Sequence, residues 1–179
     1  HGGRCYLQRV LDLLRPLKKP HHKTRLTTEF HADILWWRQC LDFFNTKPII
    51  NNYSRTIHIY TDACTQGGGV LAPFDWCYVD WQTDAPLLAK EHINTKETMS
   101  VVIALLLWAP ILQDSNVIIH TDNTTTKAHI NKGACRNATI MYHLRQLFWL
   151  SVLYNFKITC VHIPGVDNIY ADSISRLRQ

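Results

Sequence analysis

What the chain lacks narrows it first. No apolar run reaches the roughly 18 residues that cross a bilayer. The longest, Met99 to Ile111, is interrupted by Ser100 and Pro110 and reads as a buried helix. A membrane partner is therefore not expected. No secretory leader pattern is visible, and the chain begins with His1 rather than Met, so we expect a piece of a longer protein. The six cysteines, at 5, 40, 64, 77, 135 and 160, form no CxxC pair and no regular spacing. That argues against a zinc ribbon or a disulfide framework and points to a reducing, intracellular compartment, cytoplasm or nucleus. His21 and His22 stand together with no cysteine or acid at ligand spacing, so they do not make a zinc site either. Internal repeats and low-complexity segments are absent.

What is present is a chain of 179 residues with 46% hydrophobic content, enough for one sizeable core and too much for disorder. The net charge of +5 is unevenly placed. Residues 1–50 hold nine Lys/Arg and four acids, leaving ten of each in residues 51–179. A basic segment attached to a neutral remainder fits a polyanionic partner, although solvated surface helices would give the same count.

The hydrophobic pattern divides the chain. Residues 4–15 read as a short helix stopped at Pro16, and 16–26 as a basic, proline-bearing linker. Thr27 or Thr28 can cap a second helix, with Phe30, Ile34, Trp37, Leu41 and Phe44 on one stripe and Trp36 widening it. We expect this stripe to pack on a neighbouring domain rather than to stack on nucleic-acid bases. Pro48 and the polar 51–54 mark a boundary, giving a helical segment 1–50 and a second domain 51–179. The second domain reads β-β-β-α-β-α-α-β-α. Strands are predicted at 56–61, 70–72, 76–81, 116–121 and 157–163. A turn of successive glycines is expected over 63–69, and helices at about 94–108, 123–131, 137–155 and 169–177. The fold class is α/β, with a mixed sheet flanked by helices.

Four carboxylates stand out: Asp62, Glu97, Asp122 and Asp172, separated by 35, 25 and 50 residues. Asp62 and Asp122 each end an apolar strand, where turn or helix capping is the ordinary explanation. Glu97 lies one turn into its helix, where the dipole favours an acid, but Asn94, Glu97 and Val101 share a face at the edge of the core. Glu91, the rival candidate, lies in the approach to that helix. Asp172 lies on the closing helix, with Asp167 as the better cap. Neighbouring strands that end in Asp at one edge would bring both acids together, and α/β sheets gather ligands at strand ends. Clustered acids repel one another unless cations intervene. Oxygen-only ligands suit Mg²⁺ or Mn²⁺, and paired ions of that kind serve phosphodiester hydrolysis.

The runs IHIYTDACTQGGGV (57–70), HINTKETMSVVIAL (92–105), VIIHTDNTTTKAHINKG (117–133) and VHIPGVDNIYADSISRL (161–177) resemble a type-1 ribonuclease H domain. More narrowly, they resemble the version in reverse transcriptases of DIRS-like, tyrosine-recombinase retrotransposons. Residues 1–50 are similar to the segment that connects polymerase and ribonuclease H in those polyproteins. The resemblance implies a ribonuclease H-like five-stranded mixed sheet behind an N-terminal helical connector, and an upstream polymerase domain as partner. It also implies endonucleolytic cleavage of the RNA strand of an RNA–DNA hybrid with two Mg²⁺ ions (Mn²⁺ as substitute), held by Asp62, Glu97, Asp122 and Asp172. Gly67, Gly68, Asn94, Asn123 and Thr124 fall where that family touches its substrate, a minor-groove contact in the case of Asn94.

Two departures matter. The loop 164–168 has no histidine where many members carry one. Only Lys132 to Arg136 separates the two middle helices, leaving no room for a basic substrate-gripping handle, so hybrid affinity would rest on the N-terminal segment or on the polymerase. Integrases and transposases of related fold carry no acid on the first helix, and a proofreading-type exonuclease would want an acid where Cys64 stands. A catalytically inactive binding or connector domain is the alternative of a different class.

Overall fold

The computed structural model describes residues 2–44 and 53–177. The chain divides into two compact units, His1–Asn51 and Asn52–Gln179. Most of the boundary read at Pro48 and 51–54 lies outside the described residues.

The first unit holds a 3-10 turn at Gly2–Tyr6, helix α1 (Gln8–Leu14) and helix α2 (Thr28–Phe44). Thr27 caps α2, its hydroxyl oxygen accepting from the Phe30 amide at 3.2 Å. The face that α2 buries differs from the predicted stripe. Asp33 and Cys40 are buried, Trp36 and Trp37 are half-buried, and Ile34 and Leu41 are exposed. Phe44's side chain lies outside the described residues. Three contacts set this orientation. Tyr6 stacks on Trp36 with ring centroids 3.7 Å apart. Trp37 lies over Gly3, where a Cβ would come within 2.2 Å of its ring. Arg9 pairs with Asp33 at 2.8 Å. A buried acid requires such a partner, so the polar pair overrides apolar spacing in choosing the face.

In the second unit, strands β1 (Arg55–Ala63), β2 (Gly67–Ala72) and β3 (Asp75–Asp80) form an antiparallel meander. Helix α3 (Ile93–Trp108), β4 (Ser115–Thr121), α4 (Thr124–Lys132), α5 (Ala138–Leu153), β5 (Lys157–His162) and α6 (Ile169–Ser175) follow. The sheet order is β3-β2-β1-β4-β5, with β4 parallel to both β1 and β5. This is the expected five-stranded mixed sheet flanked by helices. The α4–α5 connection is short, as read from the sequence, and starts at Gly133, whose φ of 62° closes α4 in the left-handed region.

The glycines correct one expectation. Gly67–Gly69 are not a turn but the start of β2, and all three are buried. A Cβ on Gly68 would meet Ser100 Oγ of α3 at 2.6 Å and the Trp81 ring at 2.7 Å. A Cβ on Gly69 would meet backbone atoms of Ala171 and Ser175, both in α6, at 2.4 Å. Successive strand residues face opposite sides, so α3 and α6 cover opposite faces of the sheet here. Both approach closely enough that only glycine fits.

The core between the sheet and α3 contains Ile57, Ile59, Val101, Val102, Leu105, Val117 and Ile119, all buried. At the far edge, Asn131 of α4 covers the outer side of β5. Its amide nitrogen donates to Cys160 O at 2.7 Å and its carbonyl accepts from Cys160 N at 2.8 Å. A side-chain amide thus occupies the edge where another strand could pair.

Candidate active site

The central pair of strands builds the site. Parallel pairing of β1 with β4 places Tyr60 opposite His120. Continued by two residues, that register brings Asp62, near the end of β1, beside Asp122, just past the end of β4. Glu97 enters from the first turns of α3. One carboxylate oxygen from each of Asp62, Glu97 and Asp122 lies within 4.8 Å of the others. Asp62 and Glu97 are each only 5% exposed, whereas Asp122 is half-buried.

Three carboxylates so close perturb one another. Burial pushes the Glu97 carboxyl up to about 9, helped by the charges of Asp62 and Asp122. Burial also raises Asp62; a hydrogen bond from Ser175 opposes the rise, and the charges of Asp122 and Asp172 add to it. Glu97 Oε2 is buried and has no hydrogen-bond partner among the described residues. An orphaned carboxylate oxygen facing two more acids has a chemical remedy in a hard divalent cation. The residues present therefore fit a Mg²⁺- or Mn²⁺-sized ion, with three oxygen donors from three separate elements.

Asp172 stands apart from this trio. It lies in the first turn of α6, and its Oδ1 accepts from Arg176 Nε at 2.8 Å. It is still near enough to raise Asp62 electrostatically. The structure thus brings three of the four predicted acids within ligand distance and places the fourth beside them, ion-paired.

The predicted contact residues sit next to the trio along the chain. Asn94 Oδ1 accepts from Asn123 Nδ2 at 3.0 Å, joining the start of α3 to the start of α4. Asn123 also caps α4, its Oδ1 accepting from Thr126 N at 2.9 Å. His92 caps α3 by accepting from Asn94 N at 3.1 Å. Beneath this pair, Thr98 Oγ1 donates to Asn94 O at 2.9 Å and lies 3.2 Å from both Thr126 Oγ1 and His129 Nδ1. Thr124 is exposed as the first residue of α4. Gly67 and Gly68 lie at the end of β2 nearest Asp62; a Cβ on Gly67 would press on the tip of Tyr78, and one on Gly68 on Ser100 and Trp81.

Sequence reasoning missed four supporting residues. Ser175 Oγ donates to Asp62 Oδ2 at 2.7 Å in a fully buried contact. Arg176 holds Asp172. Lys96 is only 3% exposed, and its ammonium donates to Thr65 O at 2.8 Å and Ala89 O at 2.9 Å, tying the loop after β1 to the loop before α3. Asn168 stands at the start of α6 but makes no side-chain capping bond; its amide donates to Thr61 O at 3.0 Å and anchors α6 on β1. Only the spacing of Ser175 and Arg176, three and four residues after Asp172, could have flagged any of them.

The five-stranded mixed sheet flanked by helices is a ribonuclease H-like fold. LC11-RNase H1, isolated from compost, superimposes with a TM-score of 0.50 at 18% identity, covering 70% of this chain and 93% of that one. The same enzyme in complex with an RNA/DNA hybrid gives 0.50 and 18%, over 66% and 92%. In sequence, 85 residues (48% of the chain) are 34% identical to the enzymatic polyprotein of cauliflower mosaic virus, strains Strasbourg and D/H alike. The chain spans 12% of that polyprotein's length. No protein-family model matches.

Proposed function

We propose that this chain is the nuclease segment of a retroelement reverse-transcriptase polyprotein and hydrolyses the RNA strand of RNA–DNA hybrids. The observation that carries this reading is the buried Asp62–Glu97–Asp122 trio with its orphaned Glu97 Oε2, set on a ribonuclease H-like sheet. The four sequence runs described above favour a DIRS-like element. In that setting, residues 1–50 connect to an upstream polymerase domain, and the protein works inside the cell.

Asp62, Glu97 and Asp122 would hold Mg²⁺ or Mn²⁺, with Asp172 contributing to a second ion. Bound there, such ions supply Lewis-acid stabilisation at the phosphate and a nucleophilic water at neutral pH. The chain's own residues prepare the site. Ser175 fixes the Asp62 carboxylate by one oxygen. Glu97 keeps a proton until a cation takes its place. Asn94, steadied by Asn123, would read the minor groove, where the 2′-hydroxyl separates RNA from DNA. Thr124 and the backbone at Gly67 and Gly68 flank the same strand ends and would meet the hybrid's backbone. The basic first unit would supply phosphate attraction that the neutral second unit lacks.

The test is a hybrid with labelled RNA, incubated with Mg²⁺ and the full chain beside its Asp62→Asn and Glu97→Gln variants. We expect shortened RNA, intact DNA, and a loss of about 10²-fold or more in each variant. Equal cleavage by wild type and Asp62→Asn would overturn the assignment. Cation binding without any cleavage would favour a non-catalytic binding domain.

A further inference from the structure

The last turn of α6 addresses two carboxylates at once. Ser175 Oγ donates to Asp62 Oδ2 at 2.7 Å, and the next residue, Arg176, donates from Nε to Asp172 Oδ1 at 2.8 Å. Both bonds start within one turn of helix, yet the two acids differ in every other respect. Asp62 is buried and belongs to the trio. The Asp172 side chain is 43% exposed and that of Arg176 is 51% exposed. Among the described residues, Asp172 is the one acid of the four held by a guanidinium.

The guanidinium is permanently charged and offers donors in a fixed fork. Its influence extends past Asp172: it lowers Asp62, and Asp62 in turn favours the charged arginine. One positive charge thus already belongs to the four-carboxylate group. A divalent cation drawn to the remaining carboxylates would compete for the Asp172 carboxylate, whose Oδ1 Arg176 occupies. Solvent screens this exposed pair, so it is weak enough to exchange.

We propose that Arg176 is a positioning residue that holds Asp172 away from the trio and yields it to a second divalent cation, so that arginine and cation compete for one carboxylate. The first cation, at Asp62, Glu97 and Asp122, then binds without disturbing α6. The second binds more weakly because it must displace the guanidinium. This rests on the cation-binding reading given under the proposed function.

Calorimetric titration of the EDTA-stripped full chain with Mn²⁺ tests it, with a readout independent of cleavage. Wild type should show two steps of unequal affinity. Arg176→Gln should tighten the weaker step about two- to fivefold, the range an exposed ion pair supports, and leave the tighter step unchanged. Arg176→Lys keeps the charge without the Nε bond and should fall between the two. Asp172→Asn should abolish the weaker step, and adding Arg176→Gln to it should change nothing more. The Mg²⁺ concentration for half-maximal hybrid cleavage should fall in Arg176→Gln by the same factor as the weaker constant. A weaker step that is unchanged or loosened in Arg176→Gln, or a single step in wild type, overturns this proposal alone. No Mn²⁺ binding by wild type at millimolar concentration overturns the cation reading with it.

Discussion

Ser175 reaches back across 113 residues to donate its hydroxyl to Asp62 Oδ2 at 2.7 Å. The bond ties the closing helix to the central strand at the one carboxylate that both the sheet and the helix bury. Ser175→Ala should cost about 1.5–3 kcal/mol, the range for a hydrogen bond to a charged group, measured by urea unfolding in EDTA. The same variant should push Asp62 further up, because the hydrogen bond now opposes its rise. The acid limb of the cleavage pH profile should then move to higher pH, whereas a purely structural loss would scale the whole profile down.

Glu97 makes stability depend on pH in a direction that can be checked. Its carboxyl sits near 9 in the folded chain against an ordinary 4.5. Between those values the folded state binds a proton that the unfolded state does not, so stability falls as pH rises from about 4.5 towards 9. Thermal unfolding in EDTA should follow that slope, and Glu97→Gln should flatten it, exceeding wild type by at least about 1 kcal/mol at pH 8. Cation binding should expel the proton. Titrations at pH 7 in two buffers of different ionisation enthalpy should report about one proton released.

Two glycine substitutions should separate crowding from backbone strain. Gly69→Ala directs a methyl into α6 backbone at 2.4 Å, where no side chain can yield. It should cost about 1–3 kcal/mol or more and weaken cation binding, because α6 carries Ser175. Gly133→Ala meets nothing within 4 Å but must hold a φ of 62°. Its cost should be about 1 kcal/mol, with cation binding untouched. Urea unfolding and Mn²⁺ titration of both variants check the pair.

Lys96 fastens two loops beside the site without meeting an acid. Lys96→Met should remove both carbonyl contacts, cost about 1–3 kcal/mol, and speed amide hydrogen exchange at 64–66 and 86–91 ahead of the sheet. Uniform exchange across the second unit would contradict the idea that Lys96 acts locally.

Periodic features were legible in the sequence, and compensated exceptions were not. The strands ending near Asp62 and Asp122 could be read because apolar runs stop there. α3 was legible from its apolar length, and the adjacency of Asp62 and Asp122 followed if their strands were neighbours; Glu97, on a helix, joined them only through the family resemblance. β2 was read three residues short, because glycine has low strand propensity and only the crowding by Trp81, Ser100 and α6 explains its presence. The face that α2 turns to its own unit was not legible from apolar spacing, because Asp33, a polar residue, is buried through a partner 24 residues away. Asn168 is of a type that favours capping, yet its side chain is committed to Thr61, which no local pattern announces. Ser175 and Arg176 have no periodic signature; their meaning lies in what α6 meets after the chain returns to the sheet.

The order β3-β2-β1-β4-β5, with α6 closing over β1 and β2, also governs timing. All five strands and the trio lie within residues 55–162, and Asp172 and Ser175 leave the ribosome after them. A growing chain can therefore complete its sheet while Asp62 still lacks its hydroxyl and the fourth carboxylate has not been made. Contacts of such long sequence separation form late and slowly. A polyprotein carrying this segment would acquire its finished site only after synthesis has passed residue 175, and a proteolytic nick at 163–168 would undo the site while leaving the sheet's strands uncut.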